Sequence, residues 1–87
     1  MVEEKIKERI QLLTNNVSND LMNIKSYSLL TEKEKIPFRV VQGEILALDD
    51  YLKGADLNII LNKSIEKEYY CSAEGIKRAL EFINKNK

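Results

Sequence analysis

Apolar residues between Pro37 and Gly54 recur at helical spacing. At 100° per residue they form two stripes about 100° apart, which together cover about half of the circumference of a helix. The first stripe contains Phe38, Val41, Ile45, Leu48 and Leu52, and the second contains Val40, Ala47 and Tyr51. One neighbouring helix would not bury both stripes. The segment therefore predicts an amphipathic helix that begins near Ile36 or Pro37 and ends at Gly54, since glycine adopts a positive φ without steric cost. Thr31 and Glu34 have the spacing of a capping box, which can start a turn of helix before Pro37.

Gly43 is unusual within this predicted helix. It falls on the more polar face, where a mid-helix glycine costs roughly 1 kcal/mol against alanine. Either this cost is tolerated, or another backbone or a ligand passes close to Gly43, with Leu46 beside it as an apolar contact.

The N-terminal segment predicts a second amphipathic helix, from Val2 to about Tyr27. Its apolar residues are three or four positions apart: Ile6, Ile10, Leu13, Val17, Leu21 and Ile24. Polar residues from Thr14 to Asp20 permit a kink, but the apolar register continues through them, so we expect one continuous helix. A short connection then predicts an antiparallel helical hairpin over residues 2–54.

The C-terminal part, residues 55–87, is less clear. Asp56 can cap a short helix, although the following residues also permit a strand that returns through Glu68 to Cys71. Ser72 is a good N-cap for a last helix from Ala73 to about Asn84. We predict a single all-α domain over residues 1–87, a hairpin plus a C-terminal helix. The alternative is an α+β fold with a short β-hairpin at about 57–71.

Charge and composition narrow the function. The chain has 14 acidic and 14 basic residues and no net charge, which does not indicate a strong general affinity for nucleic acid or anionic membranes. No apolar run approaches the length needed to cross a bilayer, and the single Cys71 fits a reducing compartment. We expect a cytoplasmic protein.

The residue types also limit the chemistry. The chain contains no histidine. Its absence excludes the Ser-His-Asp arrangement and most zinc sites, and it removes the usual general base at neutral pH. The three glycines are scattered, so there is no glycine-rich phosphate loop, and the acidic residues lack calcium-loop spacing. We therefore expect no enzymatic activity, no metal and no cofactor.

The second stripe provides the candidate partner-binding residues. Val40, Ala47 and Tyr51, together with Gly43, could face a protein partner or a second copy of the chain, since tyrosine is common at interfaces. In the alternative, the C-terminal part folds over this stripe and completes a three- or four-helix bundle.

One stretch of this helix has a family resemblance. The residues VQGEILAL, from Val41 to Leu48, resemble the "QG-x-I-x-x-L" stretch of small helical-hairpin proteins encoded by bacteriophages. The resemblance implies a phage product that acts by binding another protein, as a virion assembly factor or as an inhibitor of host defence. It assigns no role to any single residue.

Two other functions remain open. A helix-turn-helix arrangement would make the last helix a recognition helix and bring Lys77, Arg78 and Lys85 to nucleic acid. Alternatively, a helical oligomer could sequester a small anionic ligand between its subunits. The function that the sequence favours is a non-enzymatic protein-binding or self-assembling module.

Overall fold

The fold consists of helices throughout its described part. A computed structural model describes residues 2–22 and 30–87, the side chains of residues 19–22 excepted. Within these residues there is no strand, and the helices are α1 (Val2–Met22), α2 (Glu32–Leu52), α3 (Leu57–Glu66) and α4 (Tyr70–Lys85). The all-α prediction is confirmed, and the alternative with a β-hairpin at about 57–71 is wrong.

The polar run in the first predicted helix does not interrupt it. α1 continues through Thr14 and the residues that follow as far as Met22, because the apolar register on its inner face is unbroken. Glu3 and Lys7 form the i, i+4 ion pair of its first turns, at 3.6 Å. The part of the prediction that extends to Tyr27 lies outside the described residues, as does most of the connection to α2.

α2 begins earlier than the proline suggests. The Thr31 hydroxyl accepts from the Glu34 N–H at 3.2 Å, and the Glu34 carboxylate accepts from the Thr31 N–H at 2.9 Å, so this capping box starts the helix at Glu32. Pro37 consequently lies inside the helix. The predicted start of the main helix near Ile36 or Pro37 is wrong, because the capping box starts the helix at Glu32 and the helix continues through Pro37 without the hydrogen bond that a residue with an N–H would donate there.

α2 ends as predicted. Gly54 has φ +93°, and its N–H donates to the Tyr51 carbonyl at 3.0 Å while the Ala55 N–H donates to the Asp50 carbonyl at 3.0 Å. This is the Schellman arrangement, in which a left-handed residue lets two late carbonyls accept hydrogen bonds.

The two C-terminal helices differ in their caps. Asp56 caps α3 as expected, accepting from the Asn58 N–H at 2.9 Å. α4 starts at Tyr70, with no side-chain cap at Tyr69. The predicted N-cap, Ser72, is therefore wrong: it lies within the helix, which begins one turn earlier as soon as the tight turn after α3 is complete.

One hydrophobic core joins all four helices. α1 packs on α2 as the first hairpin, and α4 packs mainly on α2 and also on α3. The buried members of the core are Ile6, Leu13, Ala47, Leu48, Leu57, Ile76, Ala79 and Ile83. None of the described helices is long and apolar enough to cross a membrane.

Candidate functional site

The predicted partner-binding stripe lies mostly inside the fold. Val40, Gly43 and Ala47 are buried, and Tyr51 is half-buried and packs against the core. α4 occupies this side of α2, as in the alternative prediction where the C-terminal part covers the stripe. The prediction that these four residues form a free surface for a partner is therefore wrong. A helix with two apolar stripes buries more apolar area when a second helix of the same chain covers the stripe that the first one leaves exposed.

The close approach at Gly43 is made by a helix backbone. A Cβ placed on Gly43 would lie 3.2 Å from the Ser72 Cα, and one placed on Gly75 would lie 2.5 Å from the Glu44 backbone nitrogen. α2 and α4 therefore cross at these two glycines with their backbones nearly in contact. The second explanation for Gly43, a backbone passing nearby, is the one that the structure shows.

A groove lies beside this crossing, between α2 and the beginning of α4. We call it the α2–α4 groove, and it has a volume of about 340 Å³. Its lining residues are Arg39, Gln42, Gly43 and Leu46 of α2, and the consecutive residues 68–72 from the turn and the first turn of α4. A second depression of about 160 Å³ shares Gly43, Leu46 and Ser72 with it and continues toward Asp50 and α3.

Three large apolar or aromatic side chains at the groove are exposed. Leu46 is 57% exposed, Tyr69 is 59% exposed and Tyr70 is 64% exposed. The sequence contained a signal for each of them, an apolar residue on the polar face of α2 and a pair of adjacent tyrosines. Two adjacent tyrosines ahead of a helix more often pack against the core, whereas here both are exposed where α4 begins.

The charges at the groove are unevenly matched. Arg39 Nη2 is 2.9 Å from Glu32 Oε2, and Lys35 Nζ is 3.6 Å from Glu32 Oε1. The hydrogen bond and charge of Arg39, with a smaller contribution from Lys35, hold the pKa of the Glu32 carboxyl below its ordinary value. The Glu68 carboxylate, by contrast, has no ion-pair or hydrogen-bond partner within the described part of the chain.

The backbone at Glu68 is also unusual. The Glu68 N–H donates to the Ile65 carbonyl at 3.1 Å, and the Tyr69 N–H donates to the Ser64 carbonyl at 2.8 Å. This Schellman arrangement ends α3 in the same way that another ends α2, but the left-handed position, with φ 62°, is occupied by glutamate. A side chain with a Cβ is strained in this conformation.

A buried ion pair is the polar feature that the sequence did not predict. Glu44 is 1% exposed, and its carboxylate accepts from Arg9 Nε at 2.8 Å and from Arg9 Nη2 at 3.5 Å. The Arg9 guanidinium also lies 5.4 Å from the centre of the Phe82 ring. The pair therefore joins α1, α2 and α4. Its one sequence signal was the position of Glu44 between the two apolar stripes.

The basic residues of the nucleic-acid alternative are exposed but do not form one surface. Arg78 and Lys85 line an open depression together with Glu81, whereas Lys77 does not line it. Arg78 Nε is 3.5 Å from the Glu74 carboxylate. Acidic groups thus alternate with the cations along α4, which gives little of the one-sign field that a phosphate backbone requires.

Among the described residues, no group of three or more His, Cys, Asp or Glu side chains could hold a metal ion. Cys71 is a free, half-buried thiol at the groove. Neither observation points to a particular reaction.

No protein-family model matches this chain, and no curated protein or solved structure matches it. The resemblance of residues 41–48 to phage helical-hairpin proteins therefore stays a prediction. The function has to be argued from the α2–α4 groove itself.

Proposed function

We propose that this chain acts without catalysis as a protein-binding domain, and that its α2–α4 groove binds a short apolar segment of a partner protein. The observation that supports this proposal is the exposure of Leu46, Tyr69 and Tyr70 around one groove. Tyrosine suits such a site, since its ring is apolar, its hydroxyl forms hydrogen bonds and it loses little conformational entropy on binding.

The exposed area favours a segment over a second copy of the chain. Large side chains of this kind offer about 150–250 Å² each, so the exposed fractions of these three sum to roughly 270–450 Å². A stable dimer buries about 800 Å² on each copy. The surrounding charged surface would have to supply about half of a dimer interface, whereas one apolar side chain with its flanking residues fills the groove.

The floor of the groove supports a preformed site. Gly43 and Gly75 bring the two helix backbones into contact beneath it, so its shape is set by the fold and little ordering is needed on binding. A site of this kind loses less entropy than a loop that must be ordered.

Random 12-residue peptides displayed on phage test the proposal. After selection on the immobilised protein, the enriched peptides are measured against Leu46→Ser and Tyr70→Ser. Ile59→Ser is the matched control, because Ile59 is 53% exposed on α3 and does not line the groove. We expect at least a tenfold loss of affinity for the two groove variants and none for the control.

Two results would refute this reading. One is the absence of any enriched peptide, or peptides that bind the groove variants as tightly as the original chain. The other is a dimer, seen by light scattering at two concentrations about tenfold apart, that Leu46→Ser dissociates and Ile59→Ser does not. The groove would then be a self-interface.

A further inference from the structure

Glu68 differs from the other charged residue that lines the α2–α4 groove. Arg39 is already paired with Glu32 at 2.9 Å, a carboxylate that Lys35 also approaches at 3.6 Å. Glu68 has no side-chain partner in the described ranges, and it stands at the turn that precedes Tyr69. Of the two charged residues that line the groove, the one without an ion-pair partner in the described ranges is therefore acidic.

The backbone at this position favours a different residue. α2 and α3 both end in a Schellman arrangement, and at the end of α2 the left-handed position is Gly54. Glycine at position 68 would remove the strain of φ 62°. The glutamate thus destabilises the turn, and no contact of its carboxylate within the described chain offsets this. A strained residue at a groove suggests a role for its side chain.

We infer that Glu68 determines the specificity of the groove by pairing with a lysine or arginine of the partner segment. This inference rests on the proposed function. The partner would be an apolar anchor that contacts Leu46 and the two tyrosines, with a basic residue beside it that reaches the Glu68 carboxylate. Such a pair at the rim of an interface contributes to selectivity and to the association rate.

The same peptide selection tests this inference when Glu68 is varied. Glu68→Gln keeps the length of the side chain and the backbone strain but removes the charge. Peptides selected on the original chain should be enriched in Lys and Arg beside an apolar anchor. They should bind Glu68→Gln about two- to fivefold more weakly at low salt, and the difference should shrink as salt screens the pair. Selection on Glu68→Lys should enrich Asp and Glu instead.

Glu68→Gly separates this role from a purely structural one. We expect this variant to be more stable than the original chain and to bind the basic peptides as weakly as Glu68→Gln. Equal binding of these peptides by the original chain, Glu68→Gln and Glu68→Gly would overturn the inference. Peptides that need Leu46 and Tyr70 but show no excess of Lys or Arg would overturn it as well, and would leave the protein-binding function standing.

Discussion

Gly75→Ala tests the helix crossing on which the fold depends. The added Cβ would lie 2.5 Å from the Glu44 nitrogen, 2.6 Å from the Gly43 carbonyl carbon and 2.6 Å from the Val40 carbonyl oxygen. All three are backbone atoms of α2, so no side-chain rotation can relieve the contact. Ordinary contact begins at 3.4 Å, and the helices would have to separate locally by about 0.9 Å.

The cost of this separation exceeds the gain in helix propensity. Alanine is better than glycine inside a helix by about 1 kcal/mol, which would stabilise α4. Overpacking a core contact costs about 1–3 kcal/mol, and a contact with rigid backbone belongs at the upper end of that range. We therefore expect a net loss of about 2 kcal/mol in the free energy of unfolding, or about 8–16 °C in Tm for a domain of this size.

Urea denaturation followed by circular dichroism measures this loss, and Gly43→Ala provides the control. The Cβ at Gly43 would lie 3.2 Å from the Ser72 Cα, so a shift of a few tenths of an ångström suffices. The propensity gain should offset most of this cost, and the stability should change by less than about 1 kcal/mol. If Gly75→Ala proved as stable as the original chain, the backbone contact between α2 and α4 would be refuted.

Three other predictions concern the ion pair, the two left-handed caps and the capping box. Arg9→Ala should lower the free energy of unfolding, measured by urea denaturation, by about 2–4 kcal/mol because it leaves the Glu44 carboxylate buried and unpaired. The double variant Arg9→Met with Glu44→Leu should recover most of that stability, and an equal loss in the double variant would contradict this explanation. Both Glu68 and Gly54 have positive φ, so Glu68→Gly should raise the free energy of unfolding by about 1 kcal/mol and Gly54→Ala should lower it by a similar amount. Changes of the opposite sign in these two variants would be inconsistent with left-handed caps. Hydrogen bonds from Thr31 lower the pKa of the Glu34 carboxyl in the folded chain. The stability that this cap provides is therefore present above the ordinary pKa of a glutamate and is lost as the pH falls through the lowered pKa of Glu34. A ¹³C NMR titration that gave Glu34 an ordinary pKa would rule out the capping box.

The helices could be predicted because their signals are local. Apolar spacing located α1, α2 and α4, whereas for α3 it also permitted a strand. The two caps that depend on a single residue type, Gly54 and Asp56, lie where the sequence placed them. The starts of α2 and α4 were misplaced because each depends on a balance. The helix that the capping box starts at Glu32 continues through Pro37 despite the missing N–H, and α4 begins directly after the turn that ends α3 although Ser72 is a good capping residue.

The candidate site could not be predicted in the same way, because it depends on which helix covers which face. The sequence showed that α2 has a second apolar stripe, but it could not decide between a partner and the chain itself. α4 covers that stripe. The exposed surface is consequently displaced to Leu46 and the tyrosines, which become neighbours only through the crossing at Gly43 and Gly75.

Stability and binding are therefore joined at this crossing. Gly43 lines the groove and also faces α4, so the contact that holds the two helices together forms the floor of the proposed binding site. A separation of about 0.9 Å at Gly75 would also move Tyr70 away from Leu46. At a temperature where Gly75→Ala is still folded, it should bind the selected peptides more weakly although residue 75 does not line the groove. A stability defect without this loss of affinity would mean that the peptides bind elsewhere.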